Sequence, residues 1–482
     1  MLYIHEEING KHNKYPEKIL QFGEGNFLRA FSCWMIDLLN EKEGYNGSVA
    51  ICQPIEVGMT DLLNQQNCMY TVAMRGLENK KEIEQFHKVT SISRCINPYK
   101  DFDELLQLAC LPSLRVIISN TTEAGITYNA GDKYTDAPPT SFPAKLCIVL
   151  HKRFKVLGAN AESGCLILPT ELIDDNGKQL KRIVLQYAKE WALEAEFCEW
   201  INTSCEFANT MVDRIVTGYP RDNILDFENK LGYKDEALVT CELYNSWVIE
   251  ADKKWSQVFP AHKVANVIWV DDATPYKKRK VRILNGSHTS VIPLAYVAGY
   301  ETVLDFFVDS EFGKFERKLI YDEIIPTLDM DGVSEFAASV IERFMNPFIV
   351  HRLADITLNN SSKFVARCVP TILDYAEKYN SPPPLFAFAI AGYIRYYKSR
   401  EFDGAYIGTR DTGEEYTLRD DRKALDFYNK LWQTDDITSI VSGALEREGL
   451  ANINGLANEV CMHLSNMVTK GMKKSLEEAQ YV

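Results

Sequence analysis

One segment constrains the fold more than any other: Ile19-Leu20-Gln21-Phe22-Gly23-Glu24-Gly25-Asn26-Phe27-Leu28-Arg29-Ala30-Phe31. Its first four residues are an apolar run that predicts a short buried strand. The run stops at Gly23. Apolar residues then recur at Leu28, Phe31, Met35 and Leu38, one face of a helix. Strand, glycine turn and helix in this order open a βαβ unit and predict a parallel sheet. The first glycine makes the bend, and the second lets a phosphate group approach the backbone at the helix N-terminus. Leu28 stands where a G-x-G-x-x-G turn has its third glycine, so the spacing alone also fits a plain turn.

The alternation continues. Residues 48–53, 115–119 and 165–168 are further strand candidates, and helical patterns cover 26–39, 101–111, 143–157 and 178–192. After a last strand candidate at 264–270 the pattern is nearly all helical, over 280–297, 311–326, 334–345, 361–379, 385–398, 420–432 and 456–478. Pro382-Pro383-Pro384 separates two of these segments. The expected fold is α/β: a Rossmann-type N-terminal domain with a mostly parallel sheet over residues 1–275, then a mostly α-helical domain over 276–482. The connection between them is expected at Asp271-Asp272-Ala273-Thr274-Pro275.

A chain of 482 residues is too long for one ordinary core. The net charge of −14 disfavours a nucleic-acid partner, despite the run Lys277-Lys278-Arg279-Lys280. The 12 cysteines are scattered, with no CxxC pair and no zinc-ligand spacing, so reduced thiols and no metal are expected. The first 14 residues are polar and charged, unlike a signal peptide, and the longest apolar run, 385–394, is about half of what a bilayer requires. The expectation is a cytoplasmic protein without a membrane partner. The sequence leaves its oligomeric state open.

Two stretches suggest a dinucleotide site. The glycine turn places Phe22, Gly23, Gly25, Asn26 and Phe27 at the carboxyl end of the first strand. The loop Ser119-Asn120-Thr121-Thr122-Glu123-Ala124-Gly125 follows another strand, which makes Thr121 and Glu123 candidates for the same site. Glu56 is the nearest carboxylate past the second strand. No arginine lies there to hold a 2′-phosphate, which favours NAD over NADP.

The chemistry concentrates in Lys280-Val281-Arg282-Ile283-Leu284-Asn285-Gly286-Ser287-His288. Read as an α-helix, Lys280, His288 and Asn285 fall within an arc of about 140°. A lysine can take the proton of a carbinol when desolvation and neighbouring cations lower its pKa from about 10.4. An asparagine amide offers two donors to a developing alkoxide, and a histidine can orient a sugar hydroxyl. A basic helix start with an incidental Asn and His has the same residues.

The spacing Lys280, Asn285, His288, the segment Asn209-Thr210-Met211-Val212-Asp213-Arg214-Ile215 and the glycine turn occur in the order of, and resemble, the mannitol dehydrogenase family of polyol-specific long-chain dehydrogenases. Within the family, residues 21–31, 119–126, 212–222 and 283–289 are most similar to the branch acting on D-altronate and D-tagaturonate. The resemblance implies a Rossmann-type domain, a helical domain and an active site in the cleft between them. It implies NAD as cofactor, no catalytic metal, and the reaction D-altronate + NAD⁺ ⇌ D-tagaturonate + NADH in hexuronate breakdown. By position Lys280 would be the general acid/base, Asn285 and Asn209 the oxyanion-stabilising pair, and His288 a substrate ligand. A sugar acid also needs a cation for its carboxylate, for which Lys363 and Arg343 are candidates. Fructuronate, mannitol or a sugar phosphate are alternative substrates, and a nucleotide-binding protein without catalysis is the alternative of another class.

Overall fold

The computed structural model of the protein describes residues 1–7, 15–122, 124–308 and 310–481. The chain divides into two compact units, Met1–Gly76 with Glu82–Ala273, and Leu77–Lys81 with Thr274–Val482.

The first unit is built on six strands: β1 (Glu17–Phe22), β2 (Ser48–Cys52), β3 (Ile92–Ile96), β4 (Val116–Ser119), β5 (Leu166–Pro169) and β6 (Glu206–Phe207). All neighbours pair in parallel, in the order β3-β2-β1-β4-β5-β6. The strand order reverses between β1 and β4, and in open parallel sheets ligands bind outside the carboxyl ends at such a point. Side chains alternate between two cores. Ile19, Val49, Ile51, Val116, Ile118, Leu166 and Leu168 bury on one face with helix Trp34–Glu43. Leu20, Phe22, Ala50, Cys52, Ile117 and Ile167 bury on the other, against helices Phe102–Ala109, Phe142–Leu157, Asn176–Glu190 and Ala195–Thr203. Burial on both faces is why β1, β2, β4 and β5 read as apolar runs.

Strands that lack such runs escaped the sequence. Tyr70–Glu78, Lys81–Val89, Val216–Gly218 and Val239–Cys241 form a four-stranded sheet, and Asn209–Asp213 and Ser246–Glu250 join Val267–Val270, the strand expected within 264–270, in a three-stranded one. Lys81–Val89 is mostly charged and polar with an exposed face, so it carries no core signal. The helix expected at 26–39 runs from Asn26 to Glu43 but holds a π-helical turn, Arg29–Cys33. It ends at Gly44, whose φ of 62° suits the left-handed cap.

The second unit is mostly helical. Helix Pro384–Tyr396 is buried nearly all round and packs against Ser287–Val297 and Leu456–Lys470. A Cβ at Gly392 would lie 2.1 Å from Leu294 Cγ, so the first of these crossings requires glycine. Glu323 accepts from the backbone N–H of Leu385 (2.7 Å) and Phe386 (2.8 Å) at the start of the buried helix. Burial pushes its carboxyl up to about 7. The helix expected at 361–379 is two, Asn360–Arg367 and Val369–Tyr379, because Pro370 removes a backbone donor at the junction. The unit also carries an antiparallel sheet, Ser399–Phe402, Ala405–Thr409 and Glu415–Thr417, where the sequence shows only a gap between helices. Among the described residues no helix is long and apolar enough to cross a membrane.

Candidate active site

The carboxyl ends of the central strands are level: Phe22 is in register with Cys52 and Ser119, and Ser119 with Pro169. Beyond them the backbone stitches the loops together. Gly23 N donates to Cys52 O (3.0 Å), Asn120 N to Phe22 O (3.0 Å) and Thr170 N to Ser119 O (2.8 Å). Gly23 has φ 120°, and a Cβ there would meet Asn120 O at 2.9 Å, so no other residue fits. Gly25 precedes the helix with φ −63° and ψ 169°, offers no side chain as a cap, and has nothing within 4 Å of where a Cβ would stand. Open space therefore lies directly against a helix N-terminus with its positive partial charge.

The side chains of this turn brace it. Phe22 turns into the core and packs on Phe142 at 4.9 Å, leaving only its backbone to the site. Asn26 Oδ1 accepts from Arg29 Nη2 (2.7 Å), and Phe27 stacks on Phe31 at 4.9 Å. Buried Arg29 also donates to Glu24 O (3.0 Å) and to Ala237 O. Glu24 reaches the loop after β2, where its Oε1 accepts from Met59 N (3.3 Å). Glu56 is exposed, and the loop turns about buried Gln53, whose Nε2 donates to Ile55 O and Glu56 O at 2.9 Å each.

Thr121 is tied to Glu171, a residue the sequence did not single out. Glu171 accepts from Thr121 N (2.9 Å), Thr121 Oγ1 (2.9 Å) and Ser119 Oγ (3.1 Å). Its carboxyl is pushed up by burial and held back by these donors. Asn120 Nδ2 donates to Thr170 O (3.1 Å) and Thr170 Oγ1 (3.0 Å). Glu123, expected beside Thr121, lies outside the described residues.

Asn209 begins the strand Asn209–Asp213, in register with Glu250. Its Nδ2 donates to Glu250 Oε1 (2.9 Å) and Asp175 Oδ1 (3.3 Å), and its Oδ1 accepts from Lys178 N (3.2 Å). Both amide hydrogens are thus directed at carboxylates.

In the second unit, Lys280 is the last residue of helix Thr274–Lys280, and Val281–Gly286 forms a π-helical turn before helix Ser287–Val297. The arc computed for a uniform α-helix is therefore corrected: the wider turn changes the phase between Lys280 and the residues after it. Such single π turns are common at functional sites. The run beside Lys280 is largely structural. Lys278 pairs with Asp374 (3.5 Å), Arg282 with the same carboxylate (2.7 Å), and the Arg279 guanidinium lies 4.4 Å from the Phe336 ring centre. Lys280 is half-buried.

Asn285 is half-buried, and its side-chain amide makes no hydrogen bond among the described residues; its carbonyl accepts from Thr289 Oγ1 (2.7 Å). The His288 ring stacks on Phe344 with centres 3.8 Å apart, and its Nε2 is buried without a hydrogen-bond partner among the described residues. Burial, then the neighbours His351, Arg343 and Arg367, hold the His288 imidazole well below its usual pKa, so it is neutral at neutral pH; burial and Arg343 push the His351 imidazole down as well. Lys363 donates to Ile356 O (2.9 Å) and is pushed down by burial and by Arg367. Arg343 is buried in the same neighbourhood. Behind the helical run, wholly buried Glu316 has a carboxyl pushed up to about 8 by burial.

Among the described residues one set of metal-ligand types converges, in the first unit: Asp37, Glu41 and His87. Asp37 is already engaged there, accepting from Thr90 N (2.8 Å) and paired with His87 Nε2 (2.8 Å).

Residues 17–259 match the mannitol dehydrogenase Rossmann domain and residues 272–467 the mannitol dehydrogenase C-terminal domain. The chain is an oxidoreductase acting on a CH–OH group. The chain belongs to the mannitol dehydrogenase family. It is 42% identical over 478 residues to the altronate oxidoreductase of Enterobacter sp. (strain 638), covering 96% of this chain and 97% of that one. The altronate oxidoreductase of Shigella flexneri is 42% identical over 477 residues with the same coverage. A D-sorbitol dehydrogenase structure superimposes with a TM-score of 0.81 at 20% identity, covering 96% of this chain and 95% of that one. Mannitol 2-dehydrogenase of Pseudomonas fluorescens, solved with NAD and D-mannitol, gives 0.66 at 22% identity, covering 96% and 94%. At these identities the structural likeness is one of fold.

Proposed function

We propose that the protein interconverts D-altronate and D-tagaturonate with NAD. The observation that carries this reading is 42% identity along 96% of the chain to altronate oxidoreductases. The turn fits a dinucleotide: open space against the helix N-terminus at Gly25 would admit a pyrophosphate, and Gly23 keeps Asn120 close enough to shape its wall. Backbone amides at Gly23, Gly25, Asn26 and Phe27 would hold it, with Thr121, fixed by Glu171, along the same edge. Residues 53–59 contain no basic side chain, which leaves a 2′-phosphate without a partner and favours NAD over NADP. A bound nicotinamide would supply the hydride acceptor for the carbinol carbon and the hydride donor for the ketone.

Lys280 takes the carbinol proton in oxidation and gives it back in reduction. The unengaged amide of Asn285 donates to the oxygen as its charge develops. Asn209 shares this work only if one of its bonds to Glu250 or Asp175 opens. His288 Nε2 binds a substrate hydroxyl, which supplies the partner it lacks. No step calls for a metal.

Product identity tests the assignment. An equimolar mixture of D-tagaturonate and D-fructuronate with limiting NADH should yield D-altronate. D-mannonate as the main product would move the enzyme to the sibling reaction.

A further inference from the structure

The strand Asn209–Asp213 has Ser246–Glu250 along one edge, and at Thr210 a side chain takes the place of a strand along the other. That side chain is Asn176, which opens helix Asn176–Glu190 and is buried. Its Oδ1 accepts from Thr210 N (2.9 Å) and its Nδ2 donates to Thr210 O (3.1 Å), so one amide satisfies both backbone groups of that residue. The same Nδ2 reaches Pro169 O (3.0 Å), at the carboxyl end of β5, and Glu171 O (3.1 Å), while Oδ1 also accepts from Gly177 N (2.9 Å). Thr210 Oγ1 donates to Pro169 O as well. A Cβ at Gly177 would lie 2.3 Å from Ala208 O, so the helix start is pressed against the residue before Asn209. Asn176 therefore joins the end of a central strand, the residue whose carboxylate holds Thr121, and the strand that begins with Asn209.

The helix start also decides how the Asn209 amide is turned. The first N–H groups of a helix have no partner within it. The carboxylate of Asp175, just before the helix, makes no capping bond to it, and Asn209 Oδ1 accepts from Lys178 N instead (3.2 Å). With the oxygen committed to the helix, the two amide hydrogens point the other way, to Glu250 Oε1 (2.9 Å) and Asp175 Oδ1 (3.3 Å). Asp175 is exposed, so the longer of these bonds is the one that a ligand oxygen replaces at least cost. We propose that Asn176 is a positioning residue for the reaction: by pairing with Thr210 it sets Asn209 against the carboxyl edge of the sheet, with the amide hydrogens rather than the oxygen ready to turn to the substrate oxygen. The proposal rests on the reading of Asn209 as a donor to that oxygen. Asn176 acts only through Asn209, because it is buried and its amide is spent on backbone groups. Displacing a reacting group by about 1 Å can cost about 10²-fold in rate, so a group that sets position is visible in turnover.

A double-variant cycle with D-tagaturonate and NADH tests it. The coupling does not depend on which keto acid is reduced, so D-fructuronate takes the place of D-tagaturonate if only it is turned over. Asn209→Ala should lower kcat by about 10²-fold. Asn176→Ala should lower kcat by about tenfold or more, with NADH affinity within a few-fold of wild type, because Glu171 still holds Thr121 through its carboxylate. Added to Asn209→Ala, it should cost less than about twofold more, since the group it positions is gone. Asn176→Asp keeps the acceptor for Thr210 N and loses the donors. It should fall between wild type and Asn176→Ala, and it serves for the same cycle where Asn176→Ala does not fold. Losses that multiply in the double variant would overturn the proposal. The side-chain ¹⁵N–¹H pair of Asn209, identified by its absence in Asn209→Ala, is read without turnover. Asn176→Asp should shift it, and an unmoved pair would overturn the positioning. Asn209→Ala with the wild-type kcat would take the donor out of the reaction, and the role of Asn176 with it, even where the pair shifts. That pattern separates a failure of the mechanism from a failure of the coupling.

Discussion

The carboxyl edge of the parallel sheet and the π turn of the helical unit are both lined with polar groups, but they handle them in opposite ways. At the sheet edge the side chains satisfy one another: Glu171 takes three donors, Asn120 ties to Thr170, and Arg29 serves two carbonyls and Asn26. What remains open there is backbone and space. Around Asn285 the reverse holds: among the described residues the Asn285 amide is unengaged, the His288 Nε2 is orphaned, and the one hydrogen bond of the Arg367 guanidinium goes to a hydroxyl. The first arrangement suits a ligand common to many enzymes, bound by main-chain amides. The second suits a ligand that must be told from its relatives, bound by side chains that a buried, unpaired state makes selective.

Replacing Lys280 should break the second region and spare the first. Lys280→Ala should lower kcat by about 10³-fold or more, while NADH affinity, read by fluorescence titration, stays within a few-fold of wild type. Turnover near wild type would remove Lys280 from the chemistry, and lost NADH binding would break the division of labour. Asn285→Ala should cost about 10²–10³ in kcat with a small change in KM, the pattern of a donor used in the transition state. A change confined to KM would make Asn285 a binding residue only.

The glycines sharpen the other side. Gly25→Ala places a methyl in open space, so thermal stability should hold while NADH binds roughly tenfold more weakly. Gly23→Ala, with its φ of 120° and a Cβ 2.9 Å from Asn120 O, should lose about 1–3 kcal/mol of stability as well. Equal melting temperatures for the two variants would contradict the difference seen at the turn.

The smallest effect is one of pH. The Glu316 carboxyl, ordinarily near 4.5, is raised to about 8 in the fold. Between these values the folded state binds more protons than the unfolded one, so this group's stabilisation is complete below about pH 4.5 and is lost as pH rises to about 8. Melting scans should show Glu316→Gln gaining several degrees relative to wild type at pH 8 and little at pH 5. A gain independent of pH would mean that the carboxyl is not protonated in the fold.

What could be read from the sequence follows the range of the interactions. β1, β2, β4 and β5 announce themselves, because both of their faces are buried and each is a local apolar run. β6 has two residues, and Lys81–Val89 has an exposed face, so neither gives a local signal. The π turns at Arg29–Cys33 and Val281–Gly286 are invisible to a pattern that assumes one helical period. Lys280, Asn285 and His288 share nine residues and stand out together, whereas Glu171 meets Thr121, and Arg367 meets Thr289, only through pairing and packing across long stretches of chain. Of the two cations proposed from sequence for the substrate acid, Arg343 lies among the charges on His288, and Lys363 is bonded to a backbone carbonyl.

The most direct test of the account is the initial rate of NADH oxidation with D-tagaturonate, D-fructuronate and D-fructose measured side by side. The account predicts kcat/KM for D-tagaturonate at least about tenfold above that for D-fructuronate, with D-fructose far below both. D-fructose reduced as well as either acid would contradict it, because the proposed substrate is a keto acid and not a neutral ketose.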